Sequence, residues 1–339
     1  MTATKPLKID GWWPSHFGTM MATAYSVLAH SSSPPKPLHL VGTIVLFILA
    51  NLGIGTFAIL LNDLTDLRQD LKSGARNLLT HQSTFSRYSF LFSALFLSVL
   101  PWFWMRAAPA VLFFVFLELF LFLLYSVPPI RLKERGWPGL LLDSLYGYVV
   151  PNTYTVLLFG SISHASALVQ LPALLLWCFA FGLERILYHQ LIDCSRDELS
   201  GARTFVTKLG WERSSRFLFN VFLPFLIIST IMMISQWYSF TAIVPSLFYL
   251  AFVWSLLSYL LHRFHGAWRG WTPAEIYHLL SERLIGTFVW TWLGLSSLVV
   301  LVLKFPNLWF LLPIQLILFP EPINWLKYTA WPRLVSCLR

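Results

Sequence analysis

"LLNDLTDLRQDLKSG", residues 60–74, decides the reading of this chain, because it places Asp63, Asp66 and Asp70 at the end of an apolar run of membrane-spanning length. Continued as a helix at about 100° per residue, Asn62, Asp66 and Asp70 fall at about 0°, 40° and 80°, with Asp63 at about 100°. All four share one face. Like charges so arranged repel, so cationic groups are expected among them. An Asp at mid-span costs about 2.5–3.5 kcal/mol to insert. Acids kept in or beside a span are by default functional.

The rest of the chain supports the membrane setting. Its 339 residues are 57% apolar and 12% charged, with mean hydropathy +0.66, against about 25% charged residues in soluble domains. The apolar runs are continuous rather than alternating, which predicts an all-α polytopic protein. Spans of about 20 residues are expected at 13–30, 39–62, 87–106, 109–127, 139–161, 171–191, 216–236, 240–262 and 284–304, nine in all. Residues 1–305 then form one transmembrane domain, and 306–339 an interfacial or irregular tail. Three scattered cysteines without a Cys-x-x-Cys spacing argue against a zinc site or disulfide framework. The N-terminus resembles neither a signal nor a transit peptide, which favours a prokaryotic inner membrane.

Basic residues check this topology. Connections after the second, fourth, sixth and eighth spans, counted with Arg185 and the span-edge Arg87 and Arg216, hold 16 of the 24 Lys and Arg residues, and those after odd spans only Lys36, Arg106 and Lys304. The positive-inside rule puts the even connections and the N-terminus in the cytoplasm. The net charge of +9 thus reads as cytoplasmic loops facing anionic headgroups, with no nucleic-acid partner implied.

A second acidic cluster, "HQLIDCSRDELSGARTFVTKLG" (189–210), ends the sixth span on the same membrane side. Asp193 and Asp197 are four residues apart. If the helix continued, Gly201 and Thr204 would extend their stripe, with Gly201 leaving room for a close approach to the backbone. Glu198 points elsewhere. Two carboxylate faces on one side suit Mg²⁺, which takes oxygen ligands and commonly bridges carboxylates to a substrate phosphate. Arg68, Lys72, Arg131, Lys133 and Arg203 would balance the remaining charge of a diphosphate.

These segments resemble the UbiA superfamily of intramembrane prenyltransferases. "NDLTDLRQD" (62–70) is similar to its first Asp-rich motif, "YSVPPIRLKERG" (125–136) to its loop after the fourth helix, and "DCSRDELSGARTFVTKLG" (193–210) to its second Asp-rich motif. The resemblance implies nine helices around a central cavity, and two Mg²⁺ ions holding an isoprenyl diphosphate. It assigns Asn62, Asp66 and Asp70, with Asp63 assisting, to the first metal motif and Asp193 and Asp197 to the second. Tyr125, Arg131 and Lys133 would meet the diphosphate.

The implied chemistry is ionisation of an allylic diphosphate, with the leaving group stabilised by cations and the carbocation shielded from water by an aromatic-walled cavity. A hydrophobic or aromatic acceptor would capture it. No acceptor signature is legible, and chain length and oligomeric state stay open. His189 reads either as a base for the acceptor proton or as an interfacial histidine. Asp143 is expected to join the polar site, and Glu118 to pair with a polar neighbour on another helix. Two alternatives share the acids: a terpene cyclase that needs no acceptor, and a cation transporter, against which the one-sided placement argues.

Overall fold

A computed structural model describes residues 16–74, 77–163, 171–237, 244–253, 285–325 and 327. Among these residues there are helices and no strands. Lys36 in extended conformation and Pro37 at the first turn open the long helix α2 (Pro37–Ser73), and Gly74 at φ 69° closes it. That left-handed exit is cheap only for glycine. The first helix, α1, is Gly18–Ala29. Ser83 caps α3 (Thr84–Trp104) by accepting from Ser86 N, and Pro109 begins α4 (Pro109–Ser126).

Two later helices are interrupted in the same way. α5 (Trp137–Ser144) runs through a π-turn at Leu145–Val149 into α6 (Val150–Ser163). Further on, α9 (Trp211–Phe217) runs through a π-turn at Leu218–Phe222 into α10 (Leu223–Trp237). Pro151 and Pro224 follow these turns. A proline ring clashes with the carbonyl four residues back and offers it no N–H, and a widened turn relieves both problems. Between them lie α7 (Leu171–Ser200) and α8 (Phe205–Leu209). The chain ends in α11 (Val244–Val253), α12 (Thr287–Thr291), α13 (Leu293–Lys304), α14 (Leu311–Leu318) and α15 (Glu321–Trp325).

Helices cover the expected spans wherever these are described; of the span expected at 240–262, only 244–253 is. Among the described residues, four segments are long and apolar enough to cross a bilayer: Pro37–Leu71, Pro109–Ser126, Leu171–Leu199 and Trp211–Ser235. All twelve residues of α1 are buried, Thr19, Thr23, Tyr25 and Ser26 among them. Its polar side chains point at neighbours. Thr23 Oγ1 donates to Asn152 Oδ1 at 2.6 Å, Tyr25 to Gln315 Oε1 at 3.0 Å and Ser26 to Ser297 Oγ at 3.3 Å. Such interhelical bonds are worth about 0.6 kcal/mol each. They tie α6, α13 and α14 to α1. The segment 307–319 therefore turns one face, Leu311 and Gln315, into the bundle, and Phe319 stacks on Phe17 at 5.9 Å.

α2 and α3 are pressed together at Gly53, where an added Cβ would lie 2.4 Å from Ser98 N and 2.6 Å from Leu97 C. Both atoms are backbone and cannot rotate away. Gly53→Ala is expected to cost about 1–3 kcal/mol through overpacking. A lowered thermal midpoint in detergent would show it; an unchanged midpoint would mean the two helices are not in contact there.

Candidate active site

The C-terminal turns of α2 and α7 and the loop 127–136 open onto one cavity of about 830 Å³. α2 continues as a regular helix through the acidic motif, so the expected shared face exists. Asn51, Ile54, Gly55, Ala58, Asn62, Asp66, Gln69 and Asp70 follow one another along it into the cavity at the 3–4 residue spacing of a helix face. The cations expected among the acids come from the loop. Lys133 Nζ donates to Asp66 Oδ2 at 2.5 Å and to Asn62 Oδ1 at 2.7 Å. Arg131 Nη2 donates to Asp66 Oδ1 at 2.7 Å and to Gln69 Oε1 at 3.2 Å, while its Nε donates to Glu134 Oε1 at 2.7 Å.

The loop is bent to permit this. Pro128–Pro129 is cis, and Arg131 has φ 38°, a conformation side chains rarely adopt and which clusters at functional sites. Gly139 lets the loop lie against α5, since a Cβ there would be 2.7 Å from Leu132 O. Lys208 Nζ holds the loop from α8 through Glu134 O at 3.0 Å. Burial pushes the Lys133 ammonium below its ordinary pKa, and Asp66 offsets this only in part. Burial also opposes the charge of Arg131, but Glu134 and Asp66 outweigh it and raise its pKa.

The other acids of the first motif have different surroundings. Asp63 is 1% exposed, and its Oδ2 accepts from Leu78 N at 2.8 Å. Asp70 Oδ2 accepts from Asn77 Nδ2 at 2.7 Å, and the same amide reaches Asp63 O at 2.7 Å. Asn77 therefore folds the following loop back onto the motif. On α7, Asp193 pairs with Arg196 at 3.1 Å and with His189 at 3.4 Å, and Asp197 is hydrogen-bonded to Thr204. Both aspartates, His189 and Thr204 line the cavity.

Several expectations change. α7 ends at Ser200, and Gly201 exits at φ 75° with nothing within 4 Å of an added Cβ. That left-handed backbone is one glycine adopts at little cost. Thr204 lies on no continued helical stripe; it caps α8, accepting from Thr207 N. Arg68 and Arg203 are exposed and do not line the cavity. Arg68 sits two residues from Asp66, on the opposite helix face, and Arg203 follows the turn at Gly201. The side chain of Lys72 lies outside the described residues. Arg185, counted with a loop by charge alone, is buried inside α7 beside Glu184, Nε to Oε2 2.5 Å. Its guanidinium lies 5.2–5.7 Å from the ring centres of Phe181, Tyr188 and Trp290.

Between the two acidic motifs sits a group of which Asp143 and Tyr125 were anticipated and Phe122 and Tyr146 were not. Tyr146 donates to Asp143 Oδ2, and Tyr125 is hydrogen-bonded to both. Rings of Phe122, Tyr125 and Tyr146 pack at 4.4–5.1 Å. The π-turn places Tyr146, Gly147 and Tyr148 together on the cavity wall. Gln190, whose neighbour His189 drew attention in the sequence, is buried and accepts from Phe205 N at 3.1 Å, fixing the loop after Asp197.

The carboxylate oxygens of both motifs are the donor type a hard divalent ion takes. Among the described residues no three Asp, Glu, His or Cys side chains converge tightly enough to close a metal site. An ion held by these carboxylates would need further oxygen ligands.

An all-helical, membrane-embedded bundle with an acid- and base-lined chamber is the class of protein this geometry defines. The chain belongs to the UbiA prenyltransferase family, whose model matches residues 19–269. Its fold is similar to that of a UbiA homolog from Archaeoglobus fulgidus bound to GPP and Mg²⁺, at 15% identity, 88% of this chain and 98% of that one, with a TM-score of 0.55. The same homolog bound to DMAPP and Mg²⁺ matches at 16% identity, 88% and 97% coverage and TM-score 0.56. Its Cd²⁺-bound form matches at 18% identity, 88% and 97% coverage and TM-score 0.53. No curated protein matches the chain.

Proposed function

We propose that the protein transfers an isoprenyl group from an isoprenyl diphosphate to a hydrophobic, aromatic or lipid-like acceptor inside the bilayer. The observation that carries this reading is the single chamber lined at once by both Asp-rich segments and by Arg131 and Lys133. The family and the solved homologs with GPP or DMAPP and Mg²⁺ support it. We infer nine transmembrane helices, with the acidic ends on the cytoplasmic side of a prokaryotic inner membrane.

Asn62, Asp63, Asp66, Asp70, Asp193 and Asp197 would hold two Mg²⁺ ions together with the diphosphate. Bound there, Mg²⁺ would supply positive charge to the leaving diphosphate. Arg131 and Lys133, now shared with Asp66, would add hydrogen bonds to its oxygens as the allylic C–O bond breaks and the electron pair departs with diphosphate. Phe122, Tyr125, Tyr146 and Trp290 would keep water from the carbocation and turn ring faces towards it. The acceptor then forms the new bond and loses a proton. Asp143, already accepting from Tyr146, is the carboxylate nearest in chemistry to that task.

Purified protein with Mg²⁺ should release diphosphate from prenyl diphosphates of several lengths. With membrane extract it should yield a prenylated adduct, read by mass. A cyclised hydrocarbon formed without extract would move the assignment to a terpene cyclase. No diphosphate release under any of these conditions would reject both.

A further inference from the structure

The chamber has a second polar end. Along α2, Asn51 lies eleven residues before Asn62, about 16 Å at 1.5 Å per residue. On α4, Glu118 lies seven residues before Tyr125, about 10 Å. Asn51 and Glu118 both line the cavity, and between Asn51 and the acidic motif the α2 wall is Ile54, Gly55, Ala58 and Ile59. Asn51 is 5%, Glu118 4% and Tyr154 0% exposed.

The hydrogens in this cluster can be counted. Asn51 Nδ2 donates to Phe47 O at 2.8 Å, which fixes its amide orientation. Its Oδ1 must then accept, and Tyr154 OH donates to it at 2.7 Å. Glu118 also borders Tyr154, whose one proton is already given to Asn51. Glu118 Oε2 is buried without a partner. An unmet buried acceptor is costly, and a hydrocarbon prenyl tail brings no donor to satisfy it.

We infer that the Glu118–Tyr154–Asn51 cluster is a ligand subsite that binds a hydroxyl or N–H group of a hydrophobic molecule, with Glu118 Oε2 as its acceptor. This rests on the chamber being that of a prenyl transferase, and there it assigns the polar group of the acceptor to the deep end. It also separates transferase from cyclase, since a cyclase substrate carries no such group.

The test uses two probes of equal shape class, 2-naphthol and its methyl ether, in equilibrium dialysis with the purified full-length protein in detergent, corrected with empty micelles. A site built to bond a hydroxyl rejects the analogue lacking its donor. Wild-type protein should prefer the naphthol by about tenfold, the net worth of about one hydrogen bond. Glu118→Gln, which keeps a carbonyl at this place, should retain the preference, and Glu118→Leu should abolish it. Glu118→Met serves if the leucine variant does not fold. Equal binding of the two probes to wild type, as when a water fills the Oε2 position, overturns the inference. So does a preference that survives Glu118→Leu or Glu118→Met. Diphosphate release from prenyl diphosphates of several lengths, with and without membrane extract and measured without naphthol, reports separately on the transferase reading: its absence under all of these conditions beside an intact probe preference would remove that reading and leave the subsite.

Discussion

Asp66→Asn and Asp193→Asn are each expected to lower diphosphate release by a hundred- to a thousandfold, about the loss seen when one preorganised charge-stabilising group is removed from an active site. Asn is the informative replacement. Asp66 carries Arg131 on one oxygen and Lys133 on the other, and all three side chains are only 14–15% exposed. Truncation to Ala would strand two cations, which can cost about 3–5 kcal/mol of stability, and would confuse catalysis with folding. Asn keeps the volume and one accepting oxygen while removing the charge. Asp193, held by Arg196 and His189, is treated likewise. The measurement is the rate of diphosphate release with Mg²⁺, alongside the thermal midpoint in detergent. A variant that keeps its midpoint and more than a tenth of the wild-type rate would take that carboxylate out of the proposed metal set.

The parts of this site legible in the sequence are those that depend on helical periodicity. The stripe from Asn62 to Asp70 needed only that α2 continue past its apolar run, and it does. The pairing of positive charge with that stripe was legible too, because three like charges on one face demand it. The identity of Lys133 and Arg131 as the actual partners depends on a loop with Arg131 in a left-handed conformation, which no local pattern announces. Asn77, Tyr146 and Gln190 act through contacts that close only in the folded bundle: Asn77 to Asp70, Tyr146 to Asp143 and Gln190 to Phe205. Gly201 shows the opposite failure. Extending the stripe to it assumed an unbroken helix, whereas a glycine after a helix's last turn is the commonest way for that helix to stop. Thr204 still reaches the chamber, but as the cap of a new helix. Arg185 was misplaced for a related reason: charge alone assigned it to a loop, while its pairing with Glu184 and its aromatic neighbours allow it inside α7.

Lys133→Met is expected to reduce diphosphate release by about a hundredfold, and the way this loss combines with that of Asp66 discriminates two roles. Nζ of Lys133 sits between Asp66 Oδ2 at 2.5 Å and Asn62 Oδ1 at 2.7 Å. If the ammonium serves mainly to position Asp66, the double variant Asp66→Asn/Lys133→Met should be no slower than Asp66→Asn alone. If it also binds the departing diphosphate, the double variant should fall further, since residues in contact are additive only where they act separately. The second outcome is the expected one, because burial makes a lone charge at Lys133 costly and a diphosphate adds anionic oxygens that relieve it. Lys133→Arg should recover less than tenfold of the loss. A planar guanidinium cannot occupy the point between two oxygens that a compact ammonium fills, and Arg131 Nη2 already takes the other oxygen of Asp66. Lys133→Met within threefold of wild type would mean that the loop cation holds the bundle together and leaves the chemistry alone.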